Sequence, residues 1–245
     1  MDQRLAGFRA VLFDLDGVLT DTASIHSDCW KRMFDEFLRE RAERSGEPFV
    51  EFDIAGDYHR YVDGKPRYDG VRSFLASRNI ELPDGDPGDP PGSDTVCALG
   101  NRKNTLVNEV VERDGVTPYP GSIRLLDELA SAGVHMAIVS SSKNAPKVLA
   151  AAGIAERFET VVDGAVAAQA GLPGKPAPDT FLDAARRLNV PREQSVVVED
   201  AISGVEAGRN GQFGLVIGVA RADNEGALSN AGADLVVTDL GELAG

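Results

Sequence analysis

Acids, hydroxyls and one lysine recur just beyond the apolar runs of this 245-residue chain. Asp14 and Asp16 follow Ala10-Val11-Leu12-Phe13. Ser140, Ser141, Ser142 and Lys143 follow Met136-Ala137-Ile138-Val139. Glu199 and Asp200 follow Ser195-Val196-Val197-Val198. Lys175 lies in Gly174-Lys175-Pro176-Ala177-Pro178-Asp179, just before a helical pattern. Each piece alone has a plain structural reading. Asp14-x-Asp16-Gly17 can be a turn, Ser142 or Asn144 a helix cap, GKPAPD a rigid turn capped by Asp179, and Glu199-Asp200 another cap. In an open parallel sheet, however, ligands bind beyond the carboxyl ends of the strands, and that rule puts every one of these residues at a single edge.

Together they fit phosphoryl transfer. Mg²⁺ takes hard oxygen ligands, usually one or two carboxylates plus phosphate and water, and Asp14 and Asp200 can supply the carboxylates. A carboxylate can also attack phosphorus and form an aspartyl-phosphate. The repulsion between such a carboxylate and a phosphate dianion is offset by metal on one side and Lys175 on the other. Ser140 and the backbone N–H groups that begin the next helix can hold the transferring phosphoryl oxygens. Asp16 can protonate the leaving oxygen and later deprotonate the incoming one.

The elements that must position these residues follow from periodicity. Five short apolar runs (10–13, 136–139, 195–198, 215–217 and 234–237) read as buried strands. Helical patterns over 122–132 and 179–188 lie between them, so from about residue 120 strand and helix alternate. That pattern predicts an α/β parallel sheet with helices on both faces. Residues 22–44 and 101–113 read as helices, and 82–93 (LPDGDPGDPPGS) as a surface loop. The expected organisation is a core of 1–21 and 118–245 with a mostly helical cap, 22–117, inserted after the first strand.

Composition narrows the function classes. The chain carries 39 acidic and 25 basic residues, a net charge of −14, which argues against a nucleic-acid binder and against attraction to anionic lipid. No apolar run approaches the length needed to span a bilayer, and the first residues lack a signal peptide's apolar stretch. Cys29 and Cys97 form no framework, so a reducing, cytoplasmic compartment is expected. Calcium-loop, dinucleotide, P-loop, nucleophile-elbow and zinc patterns all fail.

Four motifs stand in order: FDLDGVLTDT (13–22), VSSSKN (139–144), GKPAPD (174–179) and VVEDAISGVEA (197–207). With them the chain resembles the haloacid dehalogenase superfamily, in its β-phosphoglucomutase-like branch, over its whole length apart from residues 79–100. The resemblance implies a Rossmann-like core with a helical cap. It implies Asp14 as nucleophile and Asp16 as general acid/base, with Ser140 and Lys175 on the transferring phosphoryl group. It implies Mg²⁺ held by the Asp14 carboxylate, the Asp16 backbone carbonyl and Asp200, with Glu199 close by. In the cap, His26 and Trp30 match that branch, Arg67 matches an arginine for the non-transferring phosphate, and Lys103 matches a lysine facing the sugar. Ser141, Ser142, Lys143 and Asn144 would complete substrate binding. Asp63 stands where the branch often carries Lys, and Gly70 where it often carries Ser.

The implied activity is a mutase that interconverts β-glucose 1-phosphate and glucose 6-phosphate, with a hexose 1,6-bisphosphate as activator. The alternative is a sugar-phosphate phosphatase of the same chemistry. A silent binding module would have lost Asp14, Asp16, Lys175 or Asp200, and all are present. The expected partner is a small sugar phosphate, and the expected state a monomer.

Overall fold

The computed structural model describes residues 2–221 and 224–245. The chain divides into two compact units, one running to Thr22 and resuming at Val116–Gly245, the other Ala23–Gly115.

The second unit is helical. It contains α1 (Ala23–Ser45), a wide π-type turn of helix at Ile54–Val62, α2 (Arg67–Ser77) and α3 (Val96–Asp114). Its core is aromatic: Phe34 packs on Trp30, Phe52 and Phe74 with ring centroids 5.3, 5.2 and 4.1 Å away. The apolar face predicted for 22–44 is the face that supplies Trp30, Met33, Phe34 and Phe37. α3 begins five residues before the predicted start, because Thr95 caps it by accepting a hydrogen bond from the Ala98 N–H at 3.0 Å. The 82–93 stretch is irregular and largely exposed, as expected. Cys29 and Cys97 are buried and unbonded to each other.

The first unit holds a parallel sheet of β1 (Ala10–Phe13), β2 (His135–Val139), β3 (Thr160–Val162), β4 (Ser195–Glu199), β5 (Leu215–Val219) and β6 (Leu235–Val237). The spatial order is β3-β2-β1-β4-β5-β6. Its helices are α4 (Pro120–Ser131), α5 (Ala145–Ala151), α6 (Gly164–Ala170), α7 (Asp179–Arg187), α8 (Ile202–Asn210) and α9 (Glu225–Ala231). Both faces of the sheet are covered. Ala10, Leu12, Ala137, Val139 and Val197 join one core with Phe181, Ala184, Val205 and Leu228, while the alternate residues Val11, Phe13, Ile138 and Val198 are equally buried on the opposite side. β3 is absent from the sequence-based strands. This is the α/β Rossmann-like architecture the motifs implied.

The order matters for chemistry. The chain builds β1, β2 and β3 outward in one direction, then returns so that β4 lies on the other side of β1. Phe13 is therefore in register with both Ile138 and Val198. The crevice beyond β1 and β4 is the topological switch point, where open α/β sheets bind ligands. Beside it the outgoing and returning chains pair: Thr20 bridges Pro118, and the Asp21 N–H donates to the Thr117 carbonyl at 3.1 Å. Among the described residues no helix is long and apolar enough to cross a membrane.

Candidate active site

β1 delivers Asp14 directly. The Asp14 N–H still belongs to the sheet, donating to the Val198 carbonyl at 2.9 Å, while its side chain lies beyond the strand. The chain then turns back on itself. Gly17 adopts φ +81°, a left-handed conformation that glycine takes without strain, and its N–H bonds the Thr20 carbonyl at 2.9 Å. Leu15, Val18 and Leu19 are fully buried and anchor this turn. Its closure brings the Thr22 hydroxyl onto the Asp16 carboxylate, with the Thr20 hydroxyl 2.9 Å from that of Thr22.

Lys175 reaches the same place from the turn before α7. Its ammonium donates to Asp14 Oδ1 at 2.6 Å, Glu199 Oε1 at 2.5 Å and the Val139 carbonyl at 2.9 Å, which uses all three of its hydrogens. Phe181 lies beneath it, with the ring centroid 5.0 Å away. Burial alone would strip the proton from such a lysine. The two carboxylates outweigh that effect and push its pKa above the ordinary lysine value. Burial also raises Asp14, against the pull of Lys175. It carries Glu199 up to about 7, although Lys175 and the Ala201 N–H both favour its charged form.

Glu199 has both oxygens engaged, one with Lys175 and one with the Ala201 N–H at 3.0 Å. It can lie there because residue 204 is glycine: a Cβ at that position would sit 1.8 Å from Glu199 Oε1. Asp14, Glu199 and Asp200 each present a carboxylate oxygen within 4.8 Å of the others. An all-carboxylate set at a strand-end crevice suits a hard divalent cation such as Mg²⁺ and does not suit the softer metals.

Ser140 is buried at the end of β2, its N–H bonded to the Val162 carbonyl at 3.1 Å. Its hydroxyl accepts from the Ser142 N–H, and the Ser142 hydroxyl accepts from the Asn144 N–H, each at 3.1 Å. Two of the amides leading into α5 are thus already bonded to serine oxygens. Asp179, read above as a possible cap, is instead the first residue of α7.

The helical unit holds the residues predicted for the cap. Lys103 is buried, its Nζ 3.0 Å from His26 Nδ1 and 5.0 Å from the Trp30 ring centroid. Burial, reinforced by the Lys103 charge, holds His26 well below the usual histidine value, so the imidazole is neutral. Arg67 begins α2 and lies over the Tyr68 ring at 5.6 Å. Among the described residues no carboxylate pairs with Arg67, and burial lowers its pKa. Asp63 instead accepts from His59, with Oδ2 3.1 Å from Nδ1. Sequence reasoning passed over Thr20, Thr22 and Gly204 as site residues. FDLDGVLTDT contains both threonines, but nothing in the spacing says that the turn folds back onto Asp16.

This geometry agrees with known proteins. A family model described as haloacid dehalogenase-like hydrolase matches residues 8–212. The chain belongs to that family. Within it the chain stands with the β-phosphoglucomutase-like enzymes. It is 54% identical over 238 residues to a protein of Mycobacterium tuberculosis named "Beta-phosphoglucomutase", covering 96% of this chain and 91% of that one. It is 30% identical over 233 residues to the "Phosphorylated carbohydrates phosphatase" of Thermotoga maritima, covering 93% of each. The crystal structure of a β-phosphoglucomutase from Clostridium difficile superposes with a TM-score of 0.75 at 26% identity, covering 96% of this chain and 93% of that one.

Proposed function

We propose that this chain is a β-phosphoglucomutase, which interconverts β-glucose 1-phosphate and glucose 6-phosphate through an aspartyl-phosphate on Asp14. The observation that carries the chemistry is the buried Asp14–Lys175–Glu199 cluster at the switch point, with Asp200 beside it. The choice of sugar is supported by the 54% identity to the mycobacterial protein of that name.

In this reading Asp14 carries the phosphoryl group: the free hydroxyl of the sugar monophosphate attacks its phosphorus, Asp16 takes the hydroxyl proton, and the Asp14 oxygen leaves, giving a hexose bisphosphate. With the bisphosphate reversed, an Asp14 oxygen attacks the other phosphorus as its bond to the sugar oxygen breaks, and the Asp16 carboxyl gives that oxygen its proton. Lys175 offsets charge on the phosphoryl oxygens and Ser140 hydrogen-bonds one of them. Asp14, the Asp16 backbone carbonyl and Asp200 would hold Mg²⁺, which neutralises the developing charge when bound. Glu199 fixes Lys175 in place and adds its own charge near the ion. The core unit is thus catalytic, and the helical unit acts as a substrate-recognising cap. Arg67 is the partner for the non-transferring phosphate, since its guanidinium can bind it bidentately and no carboxylate of the described residues occupies it. Lys143, Ser141, Ser142 and Asn144 assist it, and Lys103 and His26 face the sugar. A hexose 1,6-bisphosphate serves as activator by phosphorylating Asp14.

The second reading, a sugar-phosphate phosphatase, is favoured by the resemblance to the Thermotoga maritima phosphatase. The two separate on Arg67. A mutase must hold a second phosphate, so Arg67→Ala should impair conversion of β-glucose 1-phosphate, primed with the bisphosphate, far more than hydrolysis of acetyl phosphate. Equal effects on both, with no glucose 6-phosphate formed by the wild type, would establish the phosphatase.

A further inference from the structure

Asp16 lies on a turn outside the sheet ladder, yet proton transfer needs its carboxyl in one place. A residue 204 positions away in sequence grips that turn. Arg221, just beyond β5, donates from Nε to the Gly17 carbonyl at 2.6 Å and from Nη2 to the Val18 carbonyl at 3.2 Å. Its Nη1 donates to the Thr238 carbonyl at 3.2 Å and lies 3.8 Å from Asp239 Oδ2, which fixes the guanidinium from behind. The same guanidinium lies over the Tyr119 ring, 3.8 Å from its centroid. Tyr119 is bound to the outgoing chain twice. Its N–H donates to the Leu19 carbonyl at 2.9 Å, and its hydroxyl donates to Asp21 Oδ1 at 3.0 Å. One planar cation therefore clamps both peptide carbonyls that follow Asp16, and through Tyr119 it braces the chain on the far side of the turn. A lysine has no fork for two carbonyls and no plane to stack on the ring.

We propose that Arg221, braced by Tyr119, is a positioning residue for the general acid/base Asp16, so that proton transfer to and from the sugar depends on it while attack by Asp14 does not. This rests on the phosphoryl-transfer reading above. Asp14 is fixed independently, by the ladder hydrogen bond to Val198 and by Lys175. Arg221 contacts neither. Its loss loosens the Gly17–Val18 peptides and lets the Asp16 carboxyl drift, and small misplacements of a reacting group are costly in rate.

The test uses the Mg²⁺-loaded full chain and two donors. Acetyl phosphate phosphorylates Asp14 with a leaving group that needs no proton. A sugar phosphate needs Asp16. In Arg221→Met the sugar step should fall by about 10²-fold, while phosphorylation by acetyl phosphate stays close to wild type. Arg221→Lys should recover only a small part. A merely structural role would lower both steps together through the folded fraction, and parallel losses or no change in either would overturn the proposal. If Arg221→Met does not fold, Tyr119→Leu removes the brace with Arg221 in place, and the same ratio should move in the same direction. If the wild type forms no aspartyl-phosphate, the phosphoryl-transfer reading fails, and hydrogen exchange still decides the clamp. The amides of Gly17, Leu19 and Thr20 should exchange faster in the variant while those of β1 and β4 do not. Unchanged exchange in the turn would overturn it.

Discussion

Asp14 and Asp16 are two residues apart, but their surroundings give them different work. Asp14 meets a buried ammonium at 2.6 Å, which favours its charged, attacking form against the effect of burial. Asp16 meets a threonine hydroxyl, a partner that tolerates either protonation state. Their variants should therefore differ. Asp14→Asn abolishes turnover with every donor, because an amide is neither nucleophile nor good Mg²⁺ ligand. Asp16→Ala keeps phosphorylation by acetyl phosphate and loses about 10²–10⁴-fold with a sugar phosphate. Comparing the two donors checks this, and an equal loss on both would count against Asp16 as the acid. Gly204 offers a second test. A methyl group there collides with the Glu199 carboxylate, whose other oxygen is bound to the Ala201 N–H and cannot retreat without breaking a buried bond. Gly204→Ala should destabilise the protein by about 1–3 kcal/mol in denaturant titrations. It should also slow phosphorylation of Asp14, since Lys175 loses one of its two anions.

At the scale of elements, β1 and β4 were legible because each is a continuous apolar run buried on both faces. β3 was not, because Thr160–Val162 is three residues long and offers no period to read. α2 carries Gly70 and only a weak apolar face, so its periodicity stays below notice. The π-type helix at Ile54–Val62 escaped for a physical reason. Its hydrogen bonds span five residues, as from the Asp63 N–H to the Tyr58 carbonyl, and its nine residues, with Gly56 among them, are too few to establish a helical repeat in the sequence. The four motifs located Asp14, Asp16, Ser140, Lys175, Glu199 and Asp200. Strand order, which makes them neighbours, came only from the fold. Arg221 was invisible because its partners are carbonyls, which leave no mark on sequence. The π-type helix yields a pH prediction. The hydrogen bond from His59 to Asp63 raises the histidine pKa above its unfolded value of 6.5. The folded state then binds the proton more tightly. This stabilisation is fully present below about pH 6.5 and fades as pH rises through the folded value. Melting temperatures of the wild type minus those of Asp63→Asn should be largest near pH 6 and shrink toward pH 8, and a difference independent of pH would mean that His59 does not titrate against Asp63.

Over the whole molecule the net charge of −14 sets a background that the site must work against. Anionic substrates receive no help from the general field, so in the proposed mechanism recognition falls to individual cations such as Lys175 and Arg67. The same excess of acid means that the folded chain repels itself, and any salt should stabilise it by screening. Raising ionic strength from about 0.01 to 0.1 M shortens the Debye length from about 30 to about 10 Å. Mg²⁺ should add something that screening cannot. Asp14, Glu199 and Asp200 converge within 4.8 Å, with the Lys175 ammonium on the first two, so a divalent ion bound there relieves a local repulsion that exists in the folded state alone. Linkage gives that gain a size, about 2.7 kcal/mol when the ion is at a hundred times its dissociation constant. MgCl₂ should therefore raise the melting temperature more than NaCl at equal ionic strength, and a chelator should remove only the difference. Asp200→Asn should abolish the difference and keep the response to NaCl, because it deletes a ligand while changing the net charge by a single unit. Identical responses to the two salts in the wild type would mean that the carboxylates do not bind the ion, and the metal role given to Asp14 and Asp200 would have to be withdrawn.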